Sequence, residues 1–378
     1  MSLPNSGNPI SFSQIRSEFG DGTNTATSPV RLGQYRRDDS DFTKPPSTSS
    51  HHNDPLDTGI PTSGEINVAA FYSKKLNVIV DYHTSAVTGG SRPTDARSKY
   101  TGSASGNWSV IGGYKDRDAS NSSGTKVKIN VNKSIGNDTS TTSDASDLGR
   151  CALRTGSAWE TGTELYVTVG ASGKISGAGG AGGTGGWKVG GAATGGNDGN
   201  SALGIQYGTD DNETVVEVAD GGLISCGYGG GGGGGGCETG SDEENEESGW
   251  GGGGGGGAGI PAGAAGLGGN GQTDENGNVG TTPDGSTETG GEGAVGGSDE
   301  DKPGGTGGDG GDQNDSAGGG AASTALGDEG GGTITSSALG AGGASGSAIR
   351  KTDANIKWNL TSGSAARVKG STTDTGIT

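Results

Sequence analysis

Between residues 76 and 177, apolar positions recur with period two, the spacing that puts alternate side chains on one face of a strand. The stretches 76–82, 108–111, 126–131 and 164–175 carry it most clearly. In 126–131, Val127, Ile129 and Val131 share one face, with Lys126, Lys128 and Asn130 on the other. Serine, threonine and glycine separate the stretches. The pattern predicts a mainly β protein whose segment 76–176 is a small antiparallel β domain with one buried face. Another strand is expected near 212–218, and short strands within 347–378 (around 348–360 and 367–370) are expected to close the structure.

Before residue 76 the period changes. Phe12, Ile15 and Phe19 fall on one face of a short amphipathic helix, with Ser11 placed to cap it and Gly20 to stop it. A weak repeat follows, in which Ile66, Asn67, Val68, Phe71 and Ser73 align with Ile10, Ser11, Phe12, Ile15 and Ser17. Two apolar turns joined by a long polar loop bury too little surface to fold alone. Segment 1–75 therefore reads as a docking element with Ile10, Phe12, Ile15, Phe19, Ile66, Val68 and Phe71 as its contacts, or as a cover for the next domain.

From 177 to 346 neither period persists. Glycine dominates: 177–186 is Gly-Ala-Gly-Gly-Ala-Gly-Gly-Thr-Gly-Gly, 229–236 and 251–257 are unbroken, and looser runs lie near 304–311, 318–320 and 330–332. Such a chain has few side chains for a core, and each glycine loses much backbone entropy on ordering. It is either a disordered tether or a scaffold in which backbone hydrogen bonds replace side-chain packing. The second outcome has a known geometry, the left-handed threefold helix of polyproline type. Polyglycine II helices of this kind can lie side by side because no Cβ intervenes. The acidic inserts at 238–248, 272–289 and 298–302 would then be loops at the rod ends. Trp187 and Trp250 stand at run boundaries, where capping a rod layer is favoured over stacking on a ligand.

Composition agrees. With 87 glycines in 378 residues and 26% hydrophobic content, one large core is excluded. The net charge of −19 is unevenly spread: residues 189–348 hold 25 acidic side chains and one basic, Lys302. That balance argues against nucleic acid and anionic membranes as partners, and no stretch has the length and apolarity to insert into a membrane. Cys151, Cys226 and Cys237 form no disulfide framework. Reduced thiols are expected, although Cys226 and Cys237 bracket a glycine run and would meet if the chain doubled back.

Chemistry is sparse. Gly-x-Gly-x-x-Gly matches arise here from composition alone. Gly304 to Asp309 matches half of a calcium-binding nonapeptide in a single copy. Asp274, Asn276 and Asn278 have calcium-loop spacing, but Val279 replaces the required glycine. The histidines are His51, His52 and His83, and no nucleophile, base and orienting group assemble. No enzyme activity, cofactor or metal site is expected.

Several stretches together resemble the glycine-rich tail fibre and adhesin proteins of tailed bacteriophages. They are 126–136, 152–159, 162–169 and 173–183, then Asp220-Gly-Gly-Leu-Ile-Ser-Cys-Gly-Tyr-Gly-Gly230 and the closing segment 347–358. The opening 6–20 is similar to a short module common near the start of phage structural proteins. The resemblance implies a virion component that meets other tail or baseplate proteins through its N-terminus. It also implies a polyglycine II bundle whose loops touch a host cell-surface receptor. The receptor-facing residues would come from the inserts: Glu238, Asp242, Glu243, Glu244, Glu246, Glu247, Asp274, Glu275, Asp284, Asp299 and Glu300. Fibre symmetry suggests a homotrimer, with a single copy capping another fibre as the alternative. The rival readings are a fibre segment or connector without receptor contact, and an ice-binding polyglycine bundle, which the bulky acidic inserts disfavour.

Overall fold

A computed structural model of the chain describes residues 3–19, 32, 60–61, 64–74, 78–82, 108–111, 126–137, 151–156, 159, 161–187, 191–208, 212–239, 247–269, 289–294, 296–299, 302–303, 305–312, 334–336, 338–351, 354, 356–359 and 367–373. Near the N-terminus Ser11 caps helix α1 (Phe12–Phe19). Its Oγ accepts the Gln14 backbone N–H at 3.2 Å, and the Gln14 side-chain oxygen accepts the Ser11 N–H at 2.7 Å, a reciprocal capping box. The second apolar turn is a 3-10 helix at Val68–Phe71. Ile15 and Phe71 are fully buried together with Leu3 and Ile60. A backbone clasp closes this small unit, with Ser73 N–H bonded to the Pro4 carbonyl at 2.9 Å.

The β region is mainly parallel. Strand β1 (Val78–Tyr82) pairs antiparallel with β2 (Trp108–Ile111) at a sheet edge, but parallel with β3 (Lys126–Val131) on its other side. From β3 onward the chain winds in rungs. The first rung is β3, β4 (Ser134–Ile135) and β5 (Leu153–Arg154). The second is β6 (Glu164–Val169), β7 (Lys174–Ser176) and β8 (Leu203–Ile205). The third is β9 (Thr214–Val218), β10 (Leu223–Ser225) and, after five strands described below, β16 (Ser347–Lys351). The fourth is β17 (Ile356–Asn359), β18 (Val368–Lys369) and β19 (Ser371–Thr373).

Each strand of a rung bonds to its counterpart in the next. This produces three sheets, ordered β17-β9-β6-β3-β1-β2, β18-β10-β7-β4 and β19-β16-β8-β5, around one core. The expectation of an antiparallel domain is thus corrected. The stretch 164–175 is not one strand with a hairpin partner, because it turns a corner at Gly170–Gly173, where the Gly173 N–H bonds the Gly170 carbonyl at 2.8 Å. The same corner recurs at Ala219–Gly222, where Gly221 adopts φ +87°, a conformation that disfavours side chains. A strand that turns into the next sheet can meet its own kind only one rung later, and then in parallel.

The registers stack aliphatic side chains in ladders. Ile129, Val167 and Val216 align in the first sheet, and Ile135, Ile175, Ile224 and Val368 in the second. Leu153, Leu203 and Ile349 align in the third. All of these residues are buried except Val368, which packs partly buried against them. Strands from 347–378 thereby share sheets and core with those of 76–176. Continuous apolar ladders facing inward are the energetic basis of the rungs, at about 25 cal/mol per Å² of surface removed from water.

Two rungs carry glycine-rich excursions. After β7 come runs I (177–186) and II (192–200), which return into β8. After β10 come runs III (227–236), IV (251–257), V (263–269), VI (290–294), VII (305–312) and VIII (338–346), which return into β16. None adopts helix or strand. They are joined by backbone bonds that repeat every third residue. Gly177, Gly180, Gly183 and Gly186 of run I donate to the carbonyls of Ser225, Tyr228, Gly231 and Gly234 at 2.8–3.0 Å, which extends the parallel β7–β10 register directly into the runs.

Run III bonds to runs I, II, IV, VII and VIII, and run IV bonds to I, III, V, VI and VII. These two central runs contain the unbroken glycine stretches, 229–236 and 251–257. In run III, a Cβ at Gly230, Gly231 or Gly232 would strike the carbonyl of Ala181, Gly308 or Gly340 respectively, so every direction is filled by backbone. Outer runs have free directions. Ala178, Ala181 and Thr184 recur at every third position of run I, and Thr306, Asp309 and Asp312 do so in run VII. How often glycine occurs in a run follows how many neighbours that run has.

Candidate functional site at the distal end of the bundle

The bundle has two ends. One is continuous with the solenoid. At the other, the runs pass into a second, antiparallel sheet ordered β14-β13-β12-β11-β15. Here β11 (Cys237–Thr239) continues run III and β12 (Glu247–Trp250) leads into run IV. β13 (Gly297–Asp299) lies beyond run VI, β14 (Lys302–Pro303) precedes run VII, and β15 (Ile334–Ser336) precedes run VIII. Neighbouring runs of opposite direction end side by side here, so short antiparallel pairing is what the geometry permits.

Glu238 lies opposite Ser248 on β12 and Thr335 on β15, Glu247 lies opposite Thr239, and Asp299 lies opposite Lys302. These three candidates therefore stand on the crown sheet, on the strands flanking the inserts 240–246 and 300–301. Asp242, Glu243, Glu244, Glu246, Asp274, Glu275, Asp284 and Glu300 lie outside the described residues. The insert 270–288 leaves run V at the crown end, where Gly269 bonds Gly251. It rejoins run VI at the solenoid end, where Gly291 bonds Gly256.

At the N-terminal unit, Ile15 and Phe71 are consumed in internal packing, and Ile10, Ile66 and Val68 pack partly buried against them. Phe12 stays 38% exposed. Phe19 ends α1. Other acidic side chains serve the scaffold. Asp198 accepts the Ala344 N–H at 2.6 Å, and Asp309 accepts the Gly293 N–H at 2.7 Å, each tying two runs. Among the described residues no group of three or more His, Cys, Asp or Glu is disposed to hold a metal ion.

Trp187 is expected from its place at a run boundary to cap a rod layer. In the structure it lies at the crown-end turn between runs I and II, where its backbone pairs with Gly191, and its side chain is 45% exposed. Trp250 is half-buried, and its indole N–H is buried without an acceptor among the described residues. The signal was available: a tryptophan in a glycine run is costly to place inside a backbone-packed bundle, which leaves the outside.

Where the solenoid meets the bundle, Cys226 carries a buried free thiol beside Tyr228. Burial pushes the thiol up from 9.0 to about 11. Burial, reinforced by the neighbouring Cys226, also raises the Tyr228 phenol above its ordinary 10.0. Both groups hold their protons longer in the folded protein than in the unfolded chain. Their contribution to stability is whole below pH 9 and is lost as pH climbs toward about 11. Denaturation midpoints should therefore be level from pH 7 to 8 and fall between 9 and 11, with the early part of the fall absent in Cys226→Ala. Midpoints that stay level to pH 11 would contradict the assignment.

No family model matches the chain, and no curated protein matches it. Among solved structures it is similar to the gp37-gp38 adhesin tip complex of the bacteriophage S16 long tail fibre. That likeness has 18% identity and a TM-score of 0.33, and it covers 82% of this chain and 88% of that one.

Proposed function

We propose that the chain is a tail fibre or tail-tip adhesin of a bacteriophage. In this reading it resides in the virion tail, attaches to other tail or baseplate proteins through segment 1–75, and recognises a host cell-surface receptor through loops at the crown. The glycine-rich part, 177–346, is read as a bundle of polyglycine II helices. The three-residue repeat of its inter-run bonds supports this, since that helix has three residues per turn. Segments 76–176 and 347–378 are read as the base that holds the bundle.

One observation carries the functional reading: the crown hairpins that flank acidic inserts gather at the end of the bundle farthest from the solenoid. A scaffold held by backbone bonds needs little apolar burial, so its loops are free to vary in sequence. Binding through them would be non-enzymatic. The solenoid closes its core within one chain, an arrangement suited to a single copy seated on a fibre end as well as to the homotrimer that fibre symmetry suggests. Light scattering of the purified protein distinguishes the two.

An antibody fragment raised against hairpin 238–247 is expected to block particle adsorption to host cells. Full adsorption with the hairpin saturated would instead favour a fibre segment or connector without receptor contact.

A further inference from the structure

Large apolar side chains are scarce in this protein, and among the described residues the exposed ones are not scattered. Besides Phe12, those are Trp187, Leu267 and Leu339, at 45%, 52% and 47% exposure. All three lie at the crown end. Trp187 follows Gly186, whose N–H makes the last bond from run I to run III, at 2.8 Å to the Gly234 carbonyl. The Leu267 carbonyl accepts the Gly185 N–H. Leu339 stands between Ala338, whose carbonyl accepts the Ala193 N–H, and Gly340, whose N–H reaches the Gly233 carbonyl. Runs V, I, II and VIII are bonded edge to edge in that order, so the three residues follow one rim.

The scaffold does not require them. Ala181 and Thr184 suffice at the outward positions of run I, and Ala264 and Ala265 at those of run V. Exposed apolar groups gathered in one place mark an interaction surface. We propose that this rim is a protein-docking surface, and that its partner presents arginine side chains among apolar residues.

Charge selects the partner. Residues 189–348 carry 25 acidic side chains against Lys302 alone, and Lys188 beside Trp187 offsets little of that. Anionic lipids, phosphorylated glycans and nucleic acids are repelled. Arginine answers both the exposed indole of the rim and the acidic character of segment 189–348. Its planar guanidinium stacks on an indole face and pairs with carboxylates in a fixed fork, whereas lysine offers a compact, strongly hydrated charge. Tryptophan and arginine are also the side chains that dominate protein interfaces. This inference deepens the adhesin reading, on which it rests only for the partner being a host surface protein.

The test uses the full chain and its Trp187→Ala and Leu267→Ser variants. The probes are a leucine–arginine peptide, a leucine–lysine peptide of equal charge, and a neutral oligosaccharide, followed by calorimetry. Trp187→Ala should weaken the arginine peptide about threefold to fivefold and the lysine peptide less than twofold. Leu267→Ser should weaken both peptides. Hydrogen exchange in the glycine runs should match the parent, which excludes a folding defect. Equal effects of Trp187→Ala on the two peptides, or none, would overturn the proposal in favour of unspecific charge. Oligosaccharide binding that is lost with Trp187→Ala would overturn it in favour of a glycan site. If the arginine preference holds but the parent chain fails to compete with particle adsorption, the rim stands and the adhesin reading fails.

Discussion

Gly231→Val is expected to destabilise the protein by about 3 kcal/mol or more, through overpacking together with broken backbone bonds. Gly231 sits in run III with neighbours on all sides. Its N–H donates to the Gly255 carbonyl and its carbonyl accepts the Gly183 N–H, both at 2.8 Å. A Cβ there would meet the Gly308 carbonyl. A side-chain core can absorb an extra methyl by a rotamer change, but here the obstacle is backbone that is itself bonded to a further run. Displacing run VII would cost its bonds to runs III, IV and VI together. Ala264→Val, on an exposed position of outer run V, should change the denaturation midpoint little. Exchange by mass spectrometry should show fast amides across 227–236 and 251–257 in Gly231→Val and protected ones in the parent. Equal protection in the two would refute the backbone-packed account.

Ile224→Ala is the second large effect, at about 2–5 kcal/mol for a fully buried aliphatic truncation. Ile224 is wholly buried, stacked between Ile175 of the rung below and Val368 of the rung above. Its consequences should extend beyond the cavity. Strand β10 leads through Cys226 into run III, and the β7–β10 register continues as the bonds between runs I and III. Loosening this ladder removes the template that holds the first bundle bonds in register. Exchange in 177–186 and 227–236 should therefore accelerate along with exchange in the strands. Lys357→Ala, at an exposed position on β17, serves as the control and should leave both unchanged. If Ile224→Ala lowers the midpoint while the runs keep their protection, the bundle folds independently of the solenoid.

Much of this was legible from local pattern. The period of two located β1, β2, β3 and β9 within a residue or two and the start of β6, though it ran on through the corner into β7, because alternation reports one buried face whatever the strand pairs with. Ser11 announced its cap, and the structure added the reciprocal bond from Gln14. The glycine runs announced a region without side-chain packing. The crown was legible in part: the inserts bearing Glu238, Glu247 and Asp299 were marked by their charge, but the strands they stand on were not. Cys237–Thr239 and Gly297–Asp299 have no apolar period. They pair because the runs deliver them side by side.

The sequence by itself determined which residues build ladders, which build runs and where each begins, since those properties depend on side-chain chemistry a few positions apart. The tertiary structure decided direction and neighbourhood. Period two is the same for parallel and antiparallel strands, and the corner at Gly170–Gly173, which sends β7 into a second sheet, made the solenoid parallel. The same holds in the bundle. Unbroken glycine in runs III and IV, and alanine or threonine at every third position of run I, were visible from the start. Their meaning as central and outer positions appeared only with the neighbours in place, because what forbids a Cβ at Gly231 is a carbonyl at Gly308, far along the chain.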